Sequence, residues 1–179
     1  MELPVLETSN SGRAWYAEGL RFTCTQCGNC CTGGPGFVWI TEEEILGLAD
    51  FLHLAKDEVI QRFCRVINGR YSLQENRNAR SGEYDCTFLR ETPGGTSSPG
   101  REGQAMRTCA VYPARPLQCR TWPFWSHTLS SPQAWQFAGR RCHGMNHGRF
   151  FKQEQIESLR DAQQWPQHPP TCAAESDAS

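Results

Sequence analysis

Residues 24–31 read CTQCGNCC and contain four cysteines, Cys24, Cys27, Cys30 and Cys31. Two residues between successive cysteines allow thiolates to converge on one metal ion, as in zinc knuckles and bacterial ferredoxins. A ferredoxin motif places its fourth cysteine after three more residues, whereas here it follows at once. Because neighbouring residues of an extended chain point apart, we expect Cys30 and Cys31 to serve different metals, or one of them to lie outside the ligand set.

Four further cysteines are candidates for completing the metal sites. They are Cys86, Cys109, Cys119 and Cys142, which brings the candidate ligands to eight of the 10 cysteines in the chain. Eight thiolates suffice for two closed tetrahedral zinc sites, or for one iron–sulfur cluster of the 4Fe-4S type and a separate site. We interpret Cys64 as a small buried core residue and Cys172 as a spectator.

Composition excludes several classes of protein. The chain has 179 residues, with 18 Lys+Arg against 19 Asp+Glu and a net charge of −1, which argues against a strongly basic nucleic-acid binder. It has no apolar run long enough to cross a membrane. The first twenty residues lack a basic start and an apolar stretch, so we expect no export signal. The expected compartment is a reducing cytoplasm, where crowded cysteines favour metal or redox use over disulfides.

The periodicity predicts a small, irregular, metal-organised α+β domain over residues 1–165. Thr41 begins the capping-box pattern TEEE, which predicts a helix from its glutamates onward. Asn68-Gly69 predicts the turn of a hairpin. We expect about three helices, at 42–54, 57–65 and 153–164, and a few short strands, at 37–40, 66–75, 84–90 and 135–142. We also expect irregular structure at 108–124, a flexible loop at 91–104 and a disordered tail at 166–179.

The ordered cysteine motifs resemble a known family. The string C-x2-C-x2-CC is followed by C-x-FL at Cys86, by C-x-VY-x2-RP-x2-CR-x2-PF from Cys109 to Phe124, and by C-x-G at Cys142. Together they resemble the YkgJ-type cysteine-cluster family, described as a zinc- or iron-chelating domain, over about residues 20–160. The resemblance implies metal binding through the eight cysteines and gives no reaction. Related motifs occur in flagellin lysine methylases, which are longer than this chain.

Arginines near the cysteines gain a role if a metal is bound. A zinc ion held by four thiolates carries a net charge of about −2, which is costly to bury without compensation. Arg115 and Arg120 flank Cys119, and we expect their guanidinium groups to donate to ligand sulfurs and so help to bind the metal group. Arg120→Ala is therefore expected to weaken metal retention. Arg107, Arg140 and Arg141 also precede cysteines.

Histidines and aromatic residues lie beside the distal cysteines. The string CHGMNHG places His143 and His147 near Cys142, where they are either extra ligands or surface and packing residues, the reading we favour. We interpret His127 in the same way and His53 as a structural or exposed helix residue. We expect Trp122, Phe124, Trp125 and Trp135 to cover the metal site, rather than to stack on bases or on a flat cofactor.

Three functions remain open at this stage. The first is a non-catalytic protein that binds zinc, iron or both as structural or carried metal. The second is an iron–sulfur-dependent redox or protein-modifying enzyme, or its accessory subunit, marked by an open coordination position. The third is a disulfide-linked extracellular module, favoured only by the even cysteine count. The expected partners are metal ions and a protein still to be identified, and no membrane.

Overall fold

The computed structural model of the chain describes residues 13–92 and 106–162. Five α-helices occur among these residues: α1 (Glu42–Leu52), α2 (Lys56–Phe63), α3 (Leu117–Thr121), α4 (Pro132–Gly139) and α5 (Gln153–Asp161). Nine short strands accompany them: β1 (Leu20–Phe22), β2 (Thr32–Gly33), β3 (Cys64–Ile67), β4 (Arg70–Leu73), β5 (Glu75–Arg77), β6 (Tyr84–Cys86), β7 (Leu89–Thr92), β8 (Met106–Cys109) and β9 (Met145–Phe151). The α+β class predicted from the sequence is confirmed.

The strands form small antiparallel sheets rather than one large one. Strand β1 pairs with β9, β3 with β4, and β7 with β8, while β6 lies between β2 and β5. Sheets this small cannot bury a core by themselves. The fold therefore depends on helices packed against the sheets and on contacts between distant segments.

Two hydrophobic cores lie within the described residues. The first, which we call the α1–α2 core, contains Ile45, Leu48, Val59, Leu73, Phe88 and Val111 among its buried members. The second, the β1–β9 core, contains Tyr16, Phe124, Leu129, Trp135, Met145 and Ile156. Each core is assembled from segments far apart in sequence. None of the described helices is both long and apolar enough to cross a membrane.

Local sequence signals explain the elements that the sequence predicted correctly. At the start of α1, Thr41 Oγ1 accepts a hydrogen bond from Glu44 N (3.2 Å), and Thr41 N donates to Glu44 Oε2 (3.0 Å). This reciprocal pair is the predicted capping box. The β3–β4 hairpin turns at Asn68 and Gly69, both with positive φ, as a two-residue type I′ turn requires.

Other elements differ from the prediction. Residues 135–142 were expected to be a strand, but α4 covers most of them and begins where the Ser131 hydroxyl accepts from Ala134 N. Ser131-Pro132 is a helix-start signal that the aromatic residues obscured. The predicted strand at 37–40 is reduced to one bridge between Trp39 and Ser72. Strands β1 and β9 were not predicted, because they stabilise each other across the length of the chain.

Three more boundaries are corrected. The predicted strand at 84–90 is two strands, β6 and β7, and β7 takes in the first two residues of the expected loop 91–104. The irregular segment 108–124 contains part of β8 and the helix α3, which starts directly after Pro116, where proline is tolerated. Residues 93–105, the tail 166–179 and Cys172 lie outside the described residues.

Candidate metal centre

All eight candidate ligands line one cavity of about 460 Å³. We call it the cysteine cavity; its thiols belong to Cys24, Cys27, Cys30, Cys31, Cys86, Cys109, Cys119 and Cys142. It lies where the two cores meet, because Cys86 and Cys109 pack against the α1–α2 core and Cys142 packs against the β1–β9 core. The fold thus brings together cysteines that are more than one hundred residues apart.

The CTQCGNCC segment is held by a tight turn and by a contact with Arg141, which follows α4. Gly28 has φ 71° and accepts a hydrogen bond at its carbonyl from Cys31 N (2.9 Å), which closes a 3₁₀ turn over Asn29–Cys31. The Asn29 side chain donates to the carbonyl of Arg141 (2.7 Å). This contact places the first cysteines next to Cys142.

The adjacent cysteines Cys30 and Cys31 do not point apart. Their Sγ atoms are 3.9 Å apart within the 3₁₀ turn over Asn29–Cys31. Two thiolates on one tetrahedral zinc ion, each about 2.3 Å from the metal, are separated by about 3.8 Å. The spacing therefore suits two ligands of one ion, which differs from the divergence expected of an extended chain.

Secondary structure delivers three of the distal cysteines. Cys86 ends β6, Cys109 ends β8, and Cys119 is the central residue of α3. Helix α3 is anchored by buried Gln118, whose Nε2 donates to the Phe37 carbonyl (2.9 Å) and whose Oε1 accepts from Trp39 N (2.7 Å). Gln118 was not predicted from the sequence to have a role. Its position beside Cys119 was the one signal that could have drawn attention to it.

Burial controls the protonation of the distal thiols. It raises the pKa of Cys86 to about 11 and also raises the pKa values of Cys109, Cys119 and Cys142. Neighbouring cysteine charges add to the increase at Cys86, Cys109 and Cys119. The thiolate is the form that binds metals, so a cation that binds to these residues must displace their protons.

The vicinal thiols behave as a pair. The hydrogen bond between Cys30 and Cys31 lowers the pKa of Cys30 and raises the pKa of Cys31. Arg115 contributes to the lowered pKa of Cys30 through its charge. Cys30 is thus the member of the pair that is more readily deprotonated.

Two side chains donate toward cavity sulfurs. Trp122 Nε1 donates to Cys142 Sγ (3.3 Å), and Arg115 Nη1 lies 4.0 Å from Cys24 Sγ. Arg115 is itself oriented by Tyr112, because its Nε donates to the Tyr112 carbonyl (2.8 Å) and its guanidinium lies 3.5 Å from the centre of the ring. Both donors can offset negative charge on sulfur.

The structure separates the arginines that were grouped by sequence. Arg115 and Arg141 line the cysteine cavity, and Arg120 is not among its lining residues. Arg120 is half exposed, and its Nη2 lies 3.5 Å from Glu44 Oε1, which also accepts from Leu117 N (2.5 Å). Arg107 pairs with Asp85 at 3.3 Å. The structure thus supports the expected sulfur contact for Arg115 and gives Arg120 a contact with α1.

The other singled-out residues have distinct places. Cys64 is 6% exposed in the α1–α2 core, which confirms its interpretation as a core residue. His127 lines the cysteine cavity, and burial lowers the pKa of its imidazole. His143 and His147 line a second cavity, and His53 is the exposed C-cap of α1.

The aromatic residues divide between the cavity and the core. Trp122 and Trp125 line the cysteine cavity, as expected of residues that cover a site. Phe124 and Trp135 instead stack in the β1–β9 core, with ring centres 5.9 Å apart. Phe137 of α4, which the sequence analysis did not single out, also lines the cavity although it is 70% exposed.

The donor set fits a thiophilic metal. Eight thiols face one cavity, and thiolates select zinc, copper(I) and iron–sulfur clusters over hard cations. Within residues 13–92 and 106–162, no three His, Cys, Asp or Glu side chains converge closely enough to hold an ion as they stand. Ligation therefore requires thiol side chains to turn toward the metal. All nine cysteines in the described part are free.

Gly28→Ala is expected to destabilise the protein by about 2–5 kcal/mol. A left-handed alanine costs about 1–2 kcal/mol. A Cβ here would also lie 2.9 Å from both Arg107 Cβ and Leu89 Cδ1, and such overpacking adds about 1–3 kcal/mol. The matched control is Gly69→Ala, which has φ 74° but no atom within 4 Å of the new Cβ. Denaturant unfolding measures both; equal losses for the two variants would contradict the close approach.

Arg115→Ala is expected to weaken metal affinity on the order of tenfold, the lower end of the effect of removing a hydrogen-bond partner of a metal ligand. The reason is loss of the positive charge beside Cys24. Arg120→Ala is the matched comparison, because removing its exposed contact with Glu44 should cost at most about 1 kcal/mol of stability. Competition against a chromophoric chelator measures affinity. A larger loss for Arg120→Ala would restore that residue to the site.

Comparisons with known proteins relate this chain to a metal-chelating family. A family model described as "CxxCxxCC: Putative zinc- or iron-chelating domain" matches residues 23–173. An uncharacterized protein of Methanocaldococcus jannaschii is 26% identical over 109 residues, which cover 61% of this chain and 48% of that relative. The match thus spans about half the length of the relative. No solved structure matches the chain.

Proposed function

This chain belongs to the CxxCxxCC family of zinc- or iron-chelating domains, and on that premise we propose that it binds a thiophilic metal in the cysteine cavity. The observation that carries the proposal is the convergence of all eight candidate cysteines on one cavity. A cysteine that only fills space in a core need not face this cavity. Cys64 is an example, because it packs in the α1–α2 core and does not line the cavity. The proposal includes a reducing compartment such as the cytoplasm, where these thiols stay free.

The proposed metal is structural or carried rather than catalytic. A structural site closes all its positions with protein ligands, and eight thiols are enough for two such sites. The cavity joins the two cores, so ions bound there would connect the halves of the fold. In that arrangement the free energy of metal binding becomes part of the free energy of folding. The ligands would be the eight cysteines, with Arg115 and Trp122 offsetting the charge on sulfur.

A second candidate is an iron–sulfur-dependent redox or protein-modifying enzyme, or its accessory subunit. The observation that favours it is the size of the cavity, since about 460 Å³ falls within the range of small-molecule and cofactor sites. An iron–sulfur cluster of the 4Fe-4S type would supply electron transfer if four of the thiols held it, and would leave one iron position open if three held it. His127 and Trp125 would then lie on the wall beside the cluster.

Thiol protection tests the proposal and separates the two candidates. Reduced, chelator-stripped protein is loaded anaerobically with zinc in one sample and with iron and sulfide in another, and native thiols are titrated with a thiol reagent. We expect metal to protect the cavity cysteines from the reagent, as mass spectrometry of the labelled peptides will show. Unchanged labelling of the cavity cysteines would overturn metal binding. Protection only with iron and sulfide would select the cluster.

A further inference from the structure

A second cavity, of about 450 Å³, lies beside the cysteine cavity. Its lining includes His143, Met145 and His147, and we call it the histidine cavity. Both histidines are exposed, and His147 belongs to β9. The proposed function as stated uses neither histidine. Imidazole is nevertheless a good ligand for zinc and ferrous iron.

Cys142 connects the two cavities. It lines the histidine cavity together with His143 and His147, and it also lines the cysteine cavity. Its sulfur accepts the hydrogen bond from Trp122 Nε1. It is thus the one cavity cysteine among the described residues that also borders the histidine cavity.

The segment from Cys142 into β9 carries these residues and is held in place against Thr23, directly before the CTQCGNCC segment. Thr23 N donates to the Gly144 carbonyl (3.1 Å), and Arg149 N donates to Thr23 Oγ1 (2.9 Å). A Cβ on Gly144 would lie 2.1 Å from the Thr23 carbonyl oxygen, so the two segments are in close contact. The segment that carries the two histidines is therefore held next to Cys24 by these contacts with Thr23.

We infer that His143 and His147 form a loading site for a divalent metal ion, zinc or ferrous iron, on its way to the cysteine cavity. This inference rests on the proposed function. The ion binds the exposed imidazoles and retains water in its other positions, consistent with the absence of three converging ligands in the described part of the chain. Cys142 then replaces an imidazole: the metal–sulfur bond forms as the metal–nitrogen bond breaks, and the thiol proton leaves to water.

Arg140 also lines the histidine cavity, and its charge opposes a cation. The side chain is exposed, and its guanidinium lies 5.8 Å from the centre of the Phe137 ring. Salt largely screens charges only beyond about 10 Å at ordinary ionic strength, but the high dielectric constant of water keeps the repulsion from an exposed charge small. Arg140 therefore weakens residence at the loading site without blocking it, which suits a site that the ion leaves.

The test compares loading kinetics with equilibrium binding in the full chain. His143→Asn, His147→Asn and the double variant are stripped, reduced and mixed with substoichiometric cobalt(II) in a stopped-flow instrument. Thiolate-to-cobalt absorption then reports arrival in the cysteine cavity. His53→Asn is the matched control, because His53 is exposed at a left-handed position (φ 55°) that asparagine tolerates. Melting curves of the cobalt-loaded proteins establish that each variant folds once metal is bound.

We expect the double variant to load on the order of tenfold more slowly, because an ion held beside Cys142 has a high effective concentration there. Its final metal content should equal that of the wild type, and its release should be slower by the same factor as its loading, because a site on the path leaves the equilibrium affinity unchanged. Unchanged loading would overturn the inference, as would lower metal content with faster release, which would make the histidines permanent ligands. A wild-type protein that takes up no metal would overturn the proposed function itself.

Discussion

Removing the metal is expected to abolish cooperative unfolding of this protein. The cysteine cavity lies between the α1–α2 core and the β1–β9 core, and the small two- and three-stranded sheets give each core little support of its own. Structural zinc contributes about 10–16 kcal/mol in zinc-finger peptides. A whole domain is stable by only about 5–15 kcal/mol. Loss of a metal should therefore cost as much as the entire stability.

The measurement is a thermal melt followed by far-UV circular dichroism, before and after stripping with a chelator under reducing conditions. We expect the stripped protein to lose its sharp transition and to regain it when zinc is added. Magnesium is the matched control, because it prefers oxygen ligands and should restore nothing. An identical transition before and after stripping would contradict the coupling between metal and fold.

Cys119→Ser is expected to remove metal, whereas Cys64→Ala should remove only stability. Cys119 lines the cysteine cavity, and burial together with neighbouring cysteine charges raises its pKa well above the usual range. Hydroxyl is a poor substitute for a soft thiolate ligand, so we expect at least one ion fewer per chain. Cys64 is 6% exposed in the α1–α2 core, and loss of its sulfur should cost about 1 kcal/mol.

Cys119→Ser should lower the metal content, whereas Cys64→Ala should lower only the stability. Packing roles alone would not separate the two variants in this way. Metal content is measured by elemental analysis, and stability by denaturant unfolding of the metal-loaded proteins. The account expects the metal content of Cys64→Ala to match that of the wild type. If both variants keep the wild-type content, Cys119 is a packing residue like Cys64 and leaves the ligand set.

Local signals in the sequence predicted the local structure well. The capping box at Thr41 and the Asn68-Gly69 turn are each decided by a few neighbouring residues, and both occur as predicted. Helix α4 was missed because two aromatic residues, Trp135 and Phe137, alternate with a polar residue and suggested a strand, although Ser131-Pro132 marked a helix start. The β1–β9 pair was missed because each strand depends on a partner at the other end of the chain.

At the candidate site, too, local sequence predicted some features, whereas contacts between distant segments determine the others. The spacing within CTQCGNCC, together with the family resemblance for the distal cysteines, named eight residues that all line the cavity. It could not show that Cys30 and Cys31 lie 3.9 Å apart, because that depends on the 3₁₀ turn after Gly28. Nor could it separate Arg115 from Arg120, since their roles depend on whether Tyr112 and Cys24 or Glu44 lies nearby.

Anaerobic purification, with metal analysis and an ultraviolet–visible spectrum on the same sample, shows whether the cysteine cavity holds metal in the native protein. The account predicts bound metal at a fixed ratio to protein. About two zinc ions per chain without visible absorption would indicate closed thiolate sites. Iron with acid-labile sulfide and a broad absorption band would indicate a cluster. Protein that is folded and reduced, yet carries neither metal and takes up neither on reconstitution, would contradict the account.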